Sequence, residues 1–152
     1  MAKGTITIEN ARLMFRNFAG KEQKFNAAGN RNFCVALSPE DGDQLQAQGW
    51  NVRYLAPRDP DEAPLAYIQV TVEFDKGRPP KIVQITSQGK TILDKESVSV
   101  LDWAEFENVD IQISPYHYEV GGRSGIKAYL QAMYATIVED ELEKKYYDVP
   151  ER

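Results

Sequence analysis

Aromatic and basic side chains occur close together in three parts of the chain: residues 15–31, residues 53–54 and residues 116–129. Flat rings stack on unpaired nucleobases and cations contact phosphates, so this combination is typical of surfaces that hold single-stranded nucleic acid. A single ring on a strand more often packs in the core or across strands. Segment 15–31 differs, because its three phenylalanines follow no periodicity that would bury them, and it predicts a mobile basic and aromatic loop.

The predicted nucleic-acid contacts are aromatic residues that could stack on nucleobases, and lysine and arginine residues that could contact phosphates. They are Phe15, Arg16, Phe18, Lys21, Lys24, Phe25, Arg31, Arg53, Tyr116, Tyr118, Arg123, Lys127 and Tyr129. The strands near the two ends of the chain are expected to form one wall of the groove that carries them.

Residues suited to catalysis are few. His117 has no histidine partner, so neither a zinc site nor a base and nucleophile pair is expected. Asp59, Asp61 and Glu62 could hold the magnesium ion of a nuclease, but they lie in a proline-broken loop where acids are usually solvated. The glycines of residues 121–125 lack the spacing of a phosphate-binding loop and predict a hairpin turn. We therefore expect a protein without enzymatic activity, cofactor or metal, and a nuclease is the minor alternative.

The composition is that of a soluble globular protein with one core: 152 residues, 42% hydrophobic and 27% charged. Cys34 stands alone between Phe33 and Val35, which predicts a buried, unreactive thiol and fits a reducing compartment. No apolar run reaches the roughly 18 residues needed to span a bilayer, and the start of the chain lacks an export signal. The cytoplasm is the expected location.

The net charge of −5 opposes nucleic-acid binding, because phosphate affinity depends on lysine and arginine. The charge is unevenly distributed, however. Residues 1–58 contain eight bases and five acids, whereas residues 139–152 contain six acids and three bases.

Turn-forming residues at short intervals, with alternating apolar residues between them, predict a mainly β protein. Strands are expected at residues 5–8, 32–37 and 51–55, and hairpins pair 65–74 with 81–86 and 109–118 with 125–138. Ser38 and Pro39 predict the start of a short helix that ends before Gly49. A second short helix is expected within residues 96–106. Residues 3–138 form the predicted domain, and residues 139–152 a charged, mobile tail.

The last strand has two different faces. One predicted face is apolar, and the other mixes charged, amide and aromatic side chains. The first consists of Ile126, Ala128, Leu130, Ala132 and Tyr134, and the second of Lys127, Tyr129, Gln131, Met133 and Ala135.

Three segments resemble phage-encoded single-stranded DNA-binding proteins with an OB-fold, and the resemblance extends from Gly4 to about Val138. They read ENARLMFRNFAGKEQKFNAAGNRNFCVAL, GWNVRYL and LDWAEFENVDIQISPYHYEVGGRSGIKAYLQAMYATI. The resemblance implies a five-stranded Greek-key barrel that binds single-stranded DNA without strong sequence preference, through a basic, aromatic groove. It also implies a role in phage DNA replication, recombination or repair in the host cytoplasm.

Proteins of this kind often end in an acidic tail that contacts replication proteins and competes with DNA for the groove. The resemblance implies such a role for residues 139–152, although Lys144, Lys145 and Arg152 dilute their negative charge. An OB-like protein-interaction module that does not touch DNA is the second hypothesis, and the acidic composition favours it. The sequence leaves open whether the protein is a monomer or a homodimer, and whether duplex DNA or RNA also binds.

Overall fold

The computed structural model describes residues 4–24 and 26–139, which form nine strands, one α-helix and one 3-10 helix. The 3-10 helix is Val98–Asp102, and the α-helix α1 is Pro39–Ala47. The strands are β1 (Ile6–Ile8), β2 (Leu13–Asn17), β3 (Arg31–Leu37), β4 (Val52–Leu55), β5 (Leu65–Val72), β6 (Lys81–Thr86), β7 (Gly89–Leu93), β8 (Phe106–Val120) and β9 (Arg123–Ile137). Neither described helix is long and apolar enough to cross a membrane.

The central sheet has the strand order β1-β8-β9-β5-β3-β2. Its two end strands, β1 and β2, are consecutive in the chain. Between them the Ala11 N–H donates to the carbonyl of Val109 in β8 (2.6 Å), and the Arg12 carbonyl accepts from Ala36 in β3 (3.0 Å). The β1–β2 segment therefore bridges β8 and β3, and with β5 and β9 it completes the predicted OB-like Greek-key barrel.

The barrel core follows from alternation along the strands. Every second residue of β5 is buried, from Ala66 to Val72, and its neighbours face outward. Side chains from β3, β8 and β9 meet these residues inside the barrel. Phe33, Ile68, Ile113 and Met133 are completely buried there.

Helix α1 begins where the sequence predicts. The Ser38 hydroxyl accepts the N–H of Asp41 at 3.1 Å, which caps the first turn, and Pro39 occupies the first helical position. Gly42 lets the helix approach β5 closely, because a Cβ at this position would lie 2.7 Å from that of Ala66. The second predicted helix, within residues 96–106, is the shorter 3-10 helix Val98–Asp102.

The predicted hairpin between residues 65–74 and 81–86 is wrong. Strands β5 and β6 both pair in parallel with β9, at successive positions: Thr71 lies opposite Tyr129, and Val83 opposite Tyr134. After the intervening turn, β6 pairs with a later part of β9 and does not fold back to pair with β5. Strand β6 then forms its antiparallel pair with β7. Local turn chemistry marked the break correctly, but the partner was chosen by a strand far away in the sequence.

The predicted faces of β9 hold only for its first half. Ile126, Ala128 and Leu130 are buried as expected. A β-bulge follows, since Gln112 pairs with Ala132 and Ile113 pairs with Leu130, which leaves Gln131 without a partner. Beyond it the alternation reverses, so Met133 and Ala135 enter the core and Tyr134 turns outward.

Candidate nucleic-acid interface

An open groove of about 640 Å³ runs between the outer face of β3 and β5 and the outer half of the β8–β9 hairpin. That outer half, residues 114–129, is called the arm below. The lining residues are mostly polar, basic or aromatic. They are Asn26, Asn30, Arg31, Asn32, Asn51, Arg53, Gln69, Thr71, Val72, Glu73, Lys76, Tyr116, Tyr118, Val120, Lys127, Ala128 and Tyr129.

The floor of the groove follows from strand register. Paired residues on neighbouring strands project to the same side of a sheet. Asn32 pairs with Thr71, which in turn lies opposite Tyr129, so these three side chains share the outer face. Gln69 lies two residues before Thr71 on the same face. The same alternation that fills the core thus supplies a polar floor outside it.

The arm supplies the rings of the groove. Tyr116 and Tyr129 meet edge to face, with ring centroids 5.6 Å apart, and the Lys127 ammonium lies 5.3 Å from the centre of the Tyr129 ring. Tyr116 is 55% exposed. A ring in this position can accept a nucleobase on its open face while the adjacent cation meets the phosphate.

The arm is held against the segment that joins α1 to β4. The Asn51 N–H donates to the carbonyl of Ile126, and the Ile126 N–H donates to that of Gly49, both at 3.0 Å. The side chains of Asn51 and Tyr118 also hydrogen-bond to each other, at 2.9 Å. Gly125 makes room for this contact, because a Cβ there would lie 2.6 Å from the Asn51 Oδ1 atom. The arm is therefore held by hydrogen bonds to the segment between α1 and β4 as well as by the pairing of β9 with β5.

The groove is locally positive although the chain is acidic. Its lining includes four basic residues, Arg31, Arg53, Lys76 and Lys127, and one acidic residue, Glu73. None of these four bases forms an ion pair with another described residue. Their charges are therefore available to an anionic ligand.

Arg31 is the most constrained of the four bases. It donates to the Lys95 carbonyl at 3.2 Å and packs against the ring of Phe74, 5.6 Å away. Its buried Nε–H has no acceptor among the described residues. An unsatisfied buried donor is unfavourable, so a phosphate oxygen or a water at this point would be stabilising.

Six of the thirteen predicted contacts lie together in this groove. They are Arg31, Arg53, Tyr116, Tyr118, Lys127 and Tyr129. No residue of β1 or β2 lines it, although the structure describes both strands completely, and of the strands near the start of the chain β3 contributes Arg31 and Asn32. The wall comes from the arm, and the floor from β3 and β5.

Two predicted contacts are structural, and we withdraw them. Phe18 is completely buried and stacks on Phe33 in the core, with centroids 5.1 Å apart. Arg16 donates to the carbonyls of Leu101 (2.9 Å) and Ala104 (2.6 Å) and lies over the ring of Phe106. The Arg16 side chain fastens β2 to the 3-10 helix and the residues that follow it, and the Phe18 side chain packs against β3.

Four other predicted contacts lie outside the groove lining. Lys21 lies over the ring of Trp103, and Phe15 is an exposed ring beside Tyr67. Lys24 and Arg123 are exposed, on the loop after β2 and at the tip of the arm. Phe25 and residues 140–152, most of the predicted tail, lie outside the described residues.

The loop between β2 and β3 reaches the groove, but with residues other than those predicted. Asn17, which is buried, binds both the N–H and the carbonyl of Lys21 through its side chain. The Asn26 amide group donates to the carbonyls of Lys21 and Asn30, and its oxygen accepts from Asn32. These bonds organise the loop and bring Asn26 and Asn30 to the groove. Sequence reasoning looked for rings and cations and so missed these amides.

Lys76 is a basic residue of the groove that the sequence analysis did not include among the predicted contacts. It was assigned to turn punctuation within residues 75–80, and it lines the groove because that turn lies beside the floor. Asn51 was also missed, although it stands two residues before Arg53. A basic residue in the turn after the predicted strand 65–74 was the signal available in the sequence.

Candidate catalytic residues do not converge. Asp59, Asp61 and Glu62 are exposed on the loop between β4 and β5, outside the groove lining. His117 is exposed on the arm. Within residues 4–24 and 26–139, no group of acids, histidine and cysteine has the geometry of a metal site.

Cys34 is buried, as the sequence predicts. Burial raises the pKa of its thiol from 9.0 to about 11, although the nearby positive charge of Arg53 lowers the pKa by a smaller amount. Because only the thiolate is nucleophilic, a shift of this size lowers its reactive fraction about 100-fold at pH 8. We expect Cys34 to react with a disulfide reagent such as DTNB at least about 100-fold more slowly in the folded protein than in urea. Equal rates in both conditions would contradict this prediction.

The family model of the phage ssDNA-binding domain matches residues 2–152. The chain belongs to this family. A search of curated protein sequences finds no match.

Solved structures share the fold. The chain is similar to the single-stranded DNA-binding protein from bacteriophage Enc34 in complex with ssDNA, with a TM-score of 0.56, 10% sequence identity, and coverage of 90% of this chain and 88% of that one. A second structure of the single-stranded DNA-binding protein from bacteriophage Enc34 is similar with a TM-score of 0.55, 10% identity, and coverage of 90% of this chain and 83% of that one. At this identity the likeness concerns the fold.

Proposed function

We propose that the groove between the β3–β5 face and the arm is the site where this phage single-stranded DNA-binding protein holds DNA. Arg31, Arg53, Lys76 and Lys127 contact phosphates, and Tyr116, Tyr118 and Tyr129 offer rings to the bases. The protein acts without catalysis, in replication, recombination or repair of phage DNA in the host cytoplasm.

The observation that carries the proposal is the concentration of positive charge and rings at one place on an acidic chain. Four bases and three tyrosines line a groove that contains a single acid, whereas the whole chain has a net charge of −5. OB-folds bind oligonucleotides with the face of their second and third strands and with the loops between strands 1 and 2 and between strands 4 and 5. With the β1–β2 segment, β3, β5, β8 and β9 as the five strands, these surfaces are the β3–β5 face and the β2–β3 and β8–β9 loops. Family membership and the Enc34 complex with ssDNA support the same ligand.

The contacts explain weak sequence preference. Every base has a face that can stack on tyrosine, and phosphates are the same along the strand. The amide of Gln69 on the groove floor can hydrogen-bond to base edges, and because its side chain can rotate to present either the oxygen or the NH2 group, it suits several nucleobases.

Titration of a fluorescent oligothymidylate by anisotropy, at several salt concentrations, tests the proposal. If all four groove bases contact phosphates, the logarithm of affinity should fall with the logarithm of salt with a slope of about −3, since each contact on a single strand contributes about −0.7. Folded protein that does not bind at low salt would refute the proposal. Incubation of the same DNA with Mg²⁺ and with Mn²⁺ should leave it uncleaved, and cleavage would favour the nuclease alternative.

Protein interaction is a second candidate function. Trp103 is 81% exposed, and Val100, one turn before it, is also exposed, which is unusual for large apolar side chains. Capture of partners from infected-cell lysate after nuclease treatment would support this function. Loss of all partners after nuclease treatment would show that they were held through nucleic acid, and would leave DNA binding as the one supported function.

A further inference from the structure

Phe15 has a backbone conformation that bulky residues rarely adopt. Its φ is +49°, in the left-handed region, where a side chain other than glycine, asparagine or aspartate is unfavourable. The strain coincides with an irregularity in the pairing of β2 with β3, between Met14 and Asn17. The bulge turns the ring out of the barrel, and Phe15 is 61% exposed. Burial of the ring therefore does not compensate for the strain.

Among the described aromatic residues, Phe15 forms a ring contact with Tyr67. Their centroids are 6.1 Å apart and the ring planes are inclined at 68°, so neither ring covers the face of the other. Tyr67 lies on the outer face of β5, the face that also carries Gln69 and Thr71 of the groove floor. An exposed aromatic pair thus stands on the same sheet surface as the groove.

Positive charge connects this pair to the groove. Arg53, which lines the groove, lies directly opposite Tyr67 in the pairing of β4 with β5. Tyr129 lies opposite Thr71, four residues further along β5. Four residues of a strand span about 13 Å, so the two aromatic pairs are separated by more than one nucleotide, and Arg53 places a cation at the Tyr67 end of the path between them.

We infer that Phe15 and Tyr67 form a second nucleobase-stacking platform, and that bound single-stranded DNA follows the outer face of β5 from Tyr116 and Tyr129, past Arg53, to Phe15. This inference rests on the proposed function, because it extends the groove assigned there. The strained backbone of Phe15 has a purpose in this arrangement, since strain that burial does not explain is often kept at ligand-binding positions. The platform also sets the length of DNA that one molecule covers.

A Phe15→Asn variant tests the platform, because asparagine tolerates the left-handed region and lacks the ring. Affinity is measured for oligothymidylates of about 4 to 16 nucleotides, the range of site sizes found for OB-folds. The parent protein should gain affinity with length until both platforms are occupied. The variant should stop gaining at a shorter length and bind the longest oligonucleotides about five-fold or more weakly, with a melting temperature no lower than that of the parent.

Trp103→Ala is the matched control, since Trp103 is an exposed ring outside the groove lining, and it should reproduce the length dependence of the parent. Tyr67→Leu provides an independent variant and should shorten the covered length in the same way. Parent affinity at every length in both platform variants, or an equal loss at every length, would overturn the inference. Failure of the parent itself to bind any oligonucleotide would instead refute the proposed function.

Discussion

Replacing Arg53 and Lys127 together with alanine is expected to lower the affinity for single-stranded DNA about 25-fold at 0.1 M salt. Each phosphate contact on a single strand contributes about 0.7 to the salt slope, which corresponds to about five-fold in affinity at this salt concentration. Both basic residues line the groove, Arg53 on β4 and Lys127 on the arm, and neither forms an ion pair with a described residue. The slope itself should become less negative by about 1.4.

Lys81 and Lys90 offer a control with the same change in net charge. Both are exposed, on β6 and β7, and neither lines the groove. The Lys81→Ala, Lys90→Ala double variant should keep the affinity and slope of the parent to within about two-fold, because charges further away than a Debye length of about 10 Å are largely screened at 0.1 M salt. Equal losses in the two double variants would mean that overall charge, and not the groove, governs binding.

The acidic composition is compatible with DNA binding because Glu73 is the one acid among the described residues that line the groove. Asp59, Asp61 and Glu62 lie on the β4–β5 loop, and Asp75 is paired with Lys95 at 3.1 Å. A ligand responds to the field where it binds, and a cleft lined by one sign of charge concentrates that field. A negative total therefore says little about the site, and the unequal distribution of bases along the chain was the better guide.

The sequence predicted those parts of the fold that depend on neighbouring residues. The cap at Ser38 and the Gly121 and Gly122 turn of the β8–β9 hairpin are local, and both appear in the structure. The false β5–β6 hairpin is different. Its turn residues suit several chain paths, and the parallel contacts of β5 and β6 with β9 connect segments more than 50 residues apart. Period and turn chemistry carry no information about such a partner.

The same division applies to the candidate site. The arm contributes Tyr116, Lys127 and Tyr129, which alternation along a recognisable hairpin places on one side. Phe18 follows a strand that the sequence analysis did not detect, because the β-bulge in β2 interrupts its alternation. Phe18 is buried against Phe33 of the next strand, a contact that its own segment does not reveal. The sequence therefore predicted an exposed ring where the structure has a core residue.

Replacing Tyr116 and Tyr129 together with alanine is expected to weaken binding about 10- to 100-fold without altering the salt slope. A base that stacks on an aromatic side chain contributes about 1–3 kcal/mol, and two rings in contact with each other contribute less than twice that amount. The slope should persist because the number of phosphate contacts does not change. Affinity and slope measured in one titration series separate this variant from the Arg53 and Lys127 double variant, in which both quantities change.

Tyr134 is the matched control for the rings. It lies on the same strand as Tyr129 and beside a lysine in a similar way, with the Lys81 ammonium 6.0 Å from its ring centre, but it does not line the groove. Tyr134→Ala and Tyr129→Ala remove the same side chain from half-buried positions of β9, so their effects on stability should be comparable. Only the second should weaken DNA binding. A similar loss in both would show that the intact barrel, and not the ring in the groove, is what the DNA requires.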